Sequence, residues 1–367
     1  MRTTRILTSS LMLVLTFFVG NVFGQIQTFE WQGVQREYLV RAPQQTEKTT
    51  VPVMYFLHGW TDNITRLDNE FHFQQIANAF GWTIVVPQAL DEGSGTMWNA
   101  GLYASNTDDS GFLMALLDSL AEPYQLNLDS VFFTGFSMGG FMTHRMAIEH
   151  GDRITACAPV SGLITNSMSL QTPVAPVRML HIHGTADPVV GYSGTSQYFG
   201  TLGLGVNAIL DYWKNANGCE GDPIIDSLPD LQNDGLRFVR YTYDCETELQ
   251  HIKVIGGVHS FYLNENQTDV SYMNVIHDFF VGKNGYENVG EQPETNSLLV
   301  APNPNDGQFY LETKAAATIE VLDLLGRRVA SKEVEAGRTQ MDLRHLPEGI
   351  YLIKEQGGKA SKLLLKK

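Results

Sequence analysis

Val131-Phe132-Phe133-Thr134-Gly135-Phe136-Ser137-Met138-Gly139-Gly140-Phe141 decides the fold class of the chain. An apolar β run ends at Gly135 and a helical period begins at Met138, so Ser137 falls on a strand-to-helix turn. Gly-x-Ser-x-Gly alone arises easily by chance; the strand before it and the helix after it make it specific. The flanking glycines relieve the crowding of a strained backbone and hold the serine hydroxyl at the open end of a sheet. The alternative is a tight turn with an idle serine. Outward from this point, strand-like runs (51–57, 83–86, 131–134, 156–160, 177–183 and 251–255) alternate with helical periods (108–124, 137–150, 206–217 and 270–281). That alternation predicts an α/β fold, a doubly wound, mostly parallel sheet with helices on both faces.

A serine hydroxyl is a poor nucleophile at neutral pH, so a base and an orienting carboxylate are expected, in the order Ser, Asp, His on such a fold. Asp187 lies 50 residues on, directly after an apolar strand, in His183-Gly184-Thr185-Ala186-Asp187. His259 lies 72 further, in Gly256-Gly257-Val258-His259, again in a loop after a strand. Both sit at strand C-termini, where open α/β sheets place their sites. His144 and His150 fall on the helix after Ser137 and cannot turn back toward it. His181 and His183 form a His-x-His pair, but without metal-ligand spacing nearby His183 reads as packed beside the acid loop, and no metal or other cofactor is expected. Two oxyanion donors are expected: the Met138 amide at the head of the helix, and the amide of Trp60 or its neighbour Thr61, with Trp60 preferred, after Leu57-His58-Gly59. Trp60, Trp98, Phe261 and Tyr262 are candidates for an aromatic substrate cleft, with core packing as the alternative.

The 367 residues exceed one ordinary domain. The net charge of −15 leaves no basic surface for a nucleic-acid partner. Residues 1–295 carry 14 basic and 31 acidic residues (net −17), and residues 296–367 carry 11 and 9 (net +2). Arg2 and Arg5 before a short apolar stretch, then Val22-Phe23-Gly24, predict a cleaved signal peptide over 1–24. No other segment approaches membrane-spanning length. Cys219 and Cys245 lie in polar, loop-like surroundings, and a bond between them, closing a loop of about 27 residues, would contribute roughly 3–4 kcal/mol in the chain-entropy model. Cys157, in an apolar run, reads as a buried, inert thiol. A catalytic domain over 25–282, a linker over 283–297, and a small C-terminal β-sandwich over 298–367 complete the division.

The tail, with Ala301-Pro302-Asn303-Pro304, Leu322-Asp323-Leu324-Leu325-Gly326-Arg327-Arg328-Val329, Leu346-Pro347-Glu348-Gly349-Ile350-Tyr351 and the basic stretch Lys362–Lys367, resembles a type IX secretion C-terminal sorting domain. The resemblance implies an outer-membrane export address, read by the type IX secretion machinery. The body, with Leu57-His58-Gly59, Trp98-Asn99, Asp108-Asp109-Ser110-Gly111-Phe112, the Ser137 turn, Ala158-Pro159-Val160-Ser161-Gly162, His183-Gly184-Thr185-Ala186-Asp187, Asn217-Gly218-Cys219 and Gly256-Gly257-Val258-His259, resembles the secreted polyhydroxybutyrate depolymerase and feruloyl esterase family. That likeness implies an α/β-hydrolase that cleaves carboxylic esters, feruloyl or acetyl esters of plant polysaccharide or a biological polyester. It also implies a family disulfide at Cys219 and Cys245. The chain departs from the family at Trp60-Thr61-Asp62-Asn63 and at Ser260-Phe261-Tyr262, both where the acyl group is expected. The expectation is an exported serine ester hydrolase with Ser137, Asp187 and His259 as its triad. Its rivals are a peptidase or acyltransferase on the same fold and a non-catalytic surface adhesin.

Overall fold

The computed structural model describes residues 25–44, 46, 48–228, 234–263, 268, 270–282, 299–301, 306–313, 315–322, 327–355 and 361–366. The expected signal peptide (1–24) and linker (283–297) lie outside the described residues. The chain divides into two compact units, residues 1–284 and 285–367.

The first unit is built on one ten-stranded sheet. In chain order its strands are β1 (Gln27–Trp31), β2 (Val34–Arg41), β3 (Val51–Leu57), β4 (Thr83–Pro87), β5 (Leu126–Phe136), β6 (Ala156–Val160), β7 (Arg178–Gly184), β10 (Cys219–Ser227), β11 (Arg237–Cys245) and β12 (Leu249–Ile255). A two-stranded hairpin, β8 (Thr195–Ser196) and β9 (Gly200–Thr201), stands apart from it. The spatial order is β1-β2-β4-β3-β5-β6-β7-β12-β11-β10. The six strands from β4 to β12 run parallel, and an antiparallel hairpin closes each edge.

Alternation along each strand sends successive side chains to opposite faces. Val53, Tyr55 and Leu57 enter one core with residues of α3 (Asp109–Ala121), α4 (Met138–His150) and α5 (Val206–Ala216). Met54 and Phe56 enter the other, with α1 (Ile64–Phe71), α2 (Phe73–Phe80) and α6 (Tyr272–Phe280). Both faces are therefore covered, which is why the central strands read as nearly continuous apolar runs.

Cys219 and Cys245 are bonded, with an S–S distance of 2.00 Å. Their surroundings are not loops. The two cysteines are register partners at the open end of the β10–β11 edge hairpin. An outermost strand that is mostly exposed and carries Gly221, Asp222 and Pro223, as β10 does, looks like loop sequence because little of it is buried. Cys157 lies buried on β6 and is unpaired.

The second unit holds a three-stranded sheet of β13 (Leu299–Ala301), β14 (Gln308–Thr313) and β17 (Gly337–Asp342), and a four-stranded sheet of β15 (Ala317–Leu322), β16 (Arg328–Val334), β18 (Gly349–Glu355) and β19 (Ser361–Leu365). Phe309, Leu311 and Met341 from the first share one core with Ile319, Val321, Ile353 and Leu363 from the second. Two antiparallel sheets around a common core form a small sandwich.

Candidate active site

β5 delivers the chain to a turn that no ordinary residue adopts easily. Ser137 has φ 56° and ψ −120°, outside the regions open to L-residues, at a strain of about 1–3 kcal/mol. Neighbouring strands hold it there. Its N–H donates to the Val160 carbonyl on β6 at 2.9 Å, and its own carbonyl accepts the Phe141 N–H at 3.1 Å as α4 begins. A Cβ on Gly135 would stand 2.5 Å from the Gly139 carbonyl oxygen, and one on Gly139 would stand 1.9 Å from the Leu57 carbonyl oxygen. Both positions must be glycine for β3, β5 and α4 to meet so closely. The Ser137 hydroxyl does not cap its own helix, which leaves it available to the histidine.

The loops after β7 and β12 bring the other two expected side chains to the same sheet edge. His259 Nε2 lies 2.9 Å from Ser137 Oγ, and His259 Nδ1 lies 2.7 Å from Asp187 Oδ2. Asp187 is 6% exposed, and its Oδ1 accepts the N–H groups of Val189 (2.9 Å) and Val190 (2.8 Å). Those bonds fix the carboxylate, so Nδ1 of His259 carries the proton toward Asp187 and Nε2 faces the hydroxyl as acceptor. His183 donates from Nε2 to the Val190 carbonyl at 2.7 Å and so pins the loop that holds Asp187 from behind.

The opposite wall is the loop after β3. A Cβ on Gly59 would lie 3.5 Å from Ser137 Cβ, so the backbone passes directly beside the hydroxyl. The Thr61 N–H donates to the Thr96 carbonyl at 2.9 Å, which leaves the Trp60 amide, with that of Met138, as the candidate donor pair. Sequence reasoning missed how this wall is held. His58 is fully buried; its Nε2 accepts the Ala89 N–H at 3.0 Å, so its Nδ1 donates to the Gly59 carbonyl at 2.6 Å. Burial lowers its pKa to about 4, so the ring is neutral and keeps this tautomer at neutral pH. The Trp98 indole N–H donates to the His58 carbonyl at 3.0 Å. The next residue, Asn99, donates its N–H to Asp109 Oδ2 at 2.7 Å, while Asp109 Oδ1 takes Arg36 Nη2 at 2.6 Å. A buried ion pair thus stands two residues from the group that fixes the wall beside Ser137.

Comparison with known proteins agrees with this architecture. Residues 110–202 match the phospholipase/carboxylesterase family, and residues 299–366 match the secretion system C-terminal sorting domain. The acetyl xylan esterase of Aspergillus awamori superposes with a TM-score of 0.52 at 16% identity, covering 70% of this chain and 99% of that one. The body has the α/β-hydrolase fold. Among curated relatives, the chain is 28% identical over 162 residues to a bifunctional acetylxylan esterase/xylanase of Neocallimastix patriciarum, covering 44% of this chain and 23% of that protein. It is 30% identical over 192 residues to feruloyl esterase C of Emericella nidulans, covering 50% and 63%. The chain spans 23% and 42% of the length of the first two relatives it matches.

The aromatic candidates of this α/β-hydrolase body separate into two kinds. Trp98 is not a cleft residue: it is 1% exposed, its N–H is taken by the His58 carbonyl, and it packs in the core. Phe261 is half-buried against Phe56, Phe71 and Tyr272. Tyr262 packs on Phe238 and Tyr272, and its hydroxyl accepts the Val258 N–H at 3.3 Å, beside His259. Trp60 is 38% exposed, and its ring lies edge-on to that of Phe199 at 5.9 Å. His181 and His183 belong to a buried stack with His144 and His251, in which burial lowers every pKa. The Trp213 N–H donates to His144 at 3.2 Å, and the Tyr192 hydroxyl lies 2.9 Å from His251. Among the described residues no group of three or more His, Cys, Asp or Glu side chains is placed to hold a metal ion.

Proposed function

We propose that this chain is an exported serine carboxylic-ester hydrolase acting on feruloyl or acetyl esters of plant polysaccharide. The observation that carries the reading is the continuous relay from Ser137 Oγ to His259 (2.9 Å) to Asp187 (2.7 Å) at the carboxyl edge of the sheet. Ser137 attacks the ester carbonyl while His259 Nε2 takes its proton, and Asp187 stabilises the imidazolium through Nδ1. The Met138 and Trp60 amides receive the developing oxyanion, each donor contributing about 3–4 kcal/mol in the transition state. Collapse expels the alcohol, protonated by His259, and leaves an acyl group on Ser137. A water deprotonated by the same imidazole then attacks, releasing the acid and restoring the serine. No step requires a cofactor.

The polysaccharide assignment rests on the relatives, whose names specify acetylxylan and feruloyl esterases. Export rests on the match of residues 299–366 to a secretion sorting domain, and no helix among the described residues is long and apolar enough to cross a membrane. Ser137→Ala is expected to lower hydrolysis of p-nitrophenyl acetate by roughly 10⁴ to 10⁶-fold. Retention of more than a few per cent of activity overturns the reading. Parallel assays for ferulate from xylan, acetate from acetylated xylan and 3-hydroxybutyrate from polymer films separate the polysaccharide esters from a polyester substrate.

A further inference from the structure

Exposed apolar side chains that adjoin one another mark a binding site more often than scattered ones do. Three adjoin one another on the loops that carry Gly59 and Asp187. Trp60, 38% exposed, follows the glycine that touches Ser137; its ring lies 5.9 Å from that of Phe199 (49% exposed), which lies 6.1 Å from that of Tyr198 (66% exposed). The two outer rings are carried by the β8–β9 hairpin, which grows from the same loop as Asp187. The Gln197 N–H donates to the Pro188 carbonyl at 3.0 Å, anchoring the hairpin to the acid loop. The Trp60 indole N–H donates to the Ser94 carbonyl at 3.0 Å, so this ring is held before any ligand arrives. Phe199 also lines a groove of about 410 Å³ with Tyr103, Asn166, Ser167, Thr201 and Leu102. No residue lining that groove is charged.

We propose that the Trp60–Phe199–Tyr198 row and the groove behind Phe199 dock the neutral sugar chain that carries the ester. The inference rests on Ser137 being the ester nucleophile and adds where the polymer lies. Open aromatic faces match the C–H faces of pyranose rings, and the amide and hydroxyl groups of Asn166, Ser167 and Thr201 match sugar hydroxyls. An anionic polymer finds no cation in the groove and meets a chain of net charge −15. The backbone of an aliphatic polyester offers acceptors alone, so it would pair the donors of this lining and leave its acceptors without a donor.

The test uses the full chain carrying Tyr198→Ala together with Phe199→Ala, checked by its melting temperature. Removing two stacking rings is expected to lower kcat/KM on acetylated xylan about tenfold or more, chiefly through KM. Hydrolysis of p-nitrophenyl acetate stays within about twofold. Equal loss on both substrates, or no loss on xylan, overturns the proposal. Selective loss on methyl ferulate, with xylan intact, assigns the rings to an aromatic acyl group and overturns it as well. Binding of deacetylated soluble xylan to the Ser137→Ala protein, read by affinity electrophoresis, tests the surface without turnover. Retardation is expected, and the two added substitutions remove it. Unchanged retardation, or none in the parent, overturns the docking surface whatever the fate of the ester reading. An unsubstituted chain that binds xylan but hydrolyses no ester overturns the ester reading alone.

Discussion

The two units of the chain bury different things. The first places His58, His144, His181, His183, His251 and the Arg36–Asp109 ion pair out of solvent and holds Ser137 in a conformation L-residues avoid. In the second, the described core is made of Phe309, Leu311, Ile319, Val321, Ile353 and similar side chains, and the Arg344–Asp342 ion pair lies at the surface. A module that needs only to fold and be recognised can rest on apolar packing. One that holds a hydroxyl and an imidazole within hydrogen-bond reach of each other uses buried polar groups tied to their neighbours, among them Trp98 to His58 and Arg36 to Asp109.

The contrast breaks most sharply at the acid. Asp187→Asn keeps the shape but reverses the tautomer of His259, so turnover of p-nitrophenyl acetate is expected to fall about 10⁴-fold while the melting temperature changes little. A loss under tenfold removes the carboxylate from the mechanism. Next comes the ion pair. Asp109→Asn leaves Arg36 buried without its counter-charge and is expected to destabilise the first unit by about 3–5 kcal/mol. All five tryptophans fall within residues 31–213, so urea unfolding followed by indole fluorescence reports the first unit by itself. An unchanged midpoint shows the pair to be dispensable.

The smallest effect is a pH dependence. Burial lowers the pKa of His58 to about 4 and of His144 and His251 to about 3, and the Lys253 ammonium near His251 adds to the shift there. An unfolded histidine titrates near 6.5. Between these values the unfolded chain binds more protons than the folded one, so stability is full above pH ~6.5 and declines as pH falls toward 4. From pH 7 to pH 5 the first unit is expected to lose a few kcal/mol by indole fluorescence. The second unit, which buries no histidine among its described residues, is expected to show little change over the same interval by calorimetry. Equal slopes for the two units would erase the distinction drawn between them.

What the sequence revealed follows the range of the interactions. The Ser137 turn was legible because strand, glycines and helix are contiguous, and Asp187 and His259 because each follows an apolar run directly. Arg36–Asp109 and the contact of Trp98 with His58 join residues 73 and 40 positions apart, which no local pattern records. A signal for the first existed: Arg36 interrupts the apolar alternation of β2 at a position pointing inward, where only a partner makes a charge tolerable. For Trp98 the sequence leaves cleft lining and core packing both open, because an indole has the same composition in a core and on a rim; its burial and its hydrogen bond to His58 tell them apart. The first strand of the edge hairpin β10–β11 is hidden because it is mostly exposed and holds Gly221 and Pro223.

The most direct measurement is treatment of the purified chain with a fluorophosphonate, followed by peptide mass spectrometry. The account predicts a single stoichiometric adduct on Ser137 and none after His259→Ala. No adduct, or an adduct on another serine with ester hydrolysis lost in step, would contradict it.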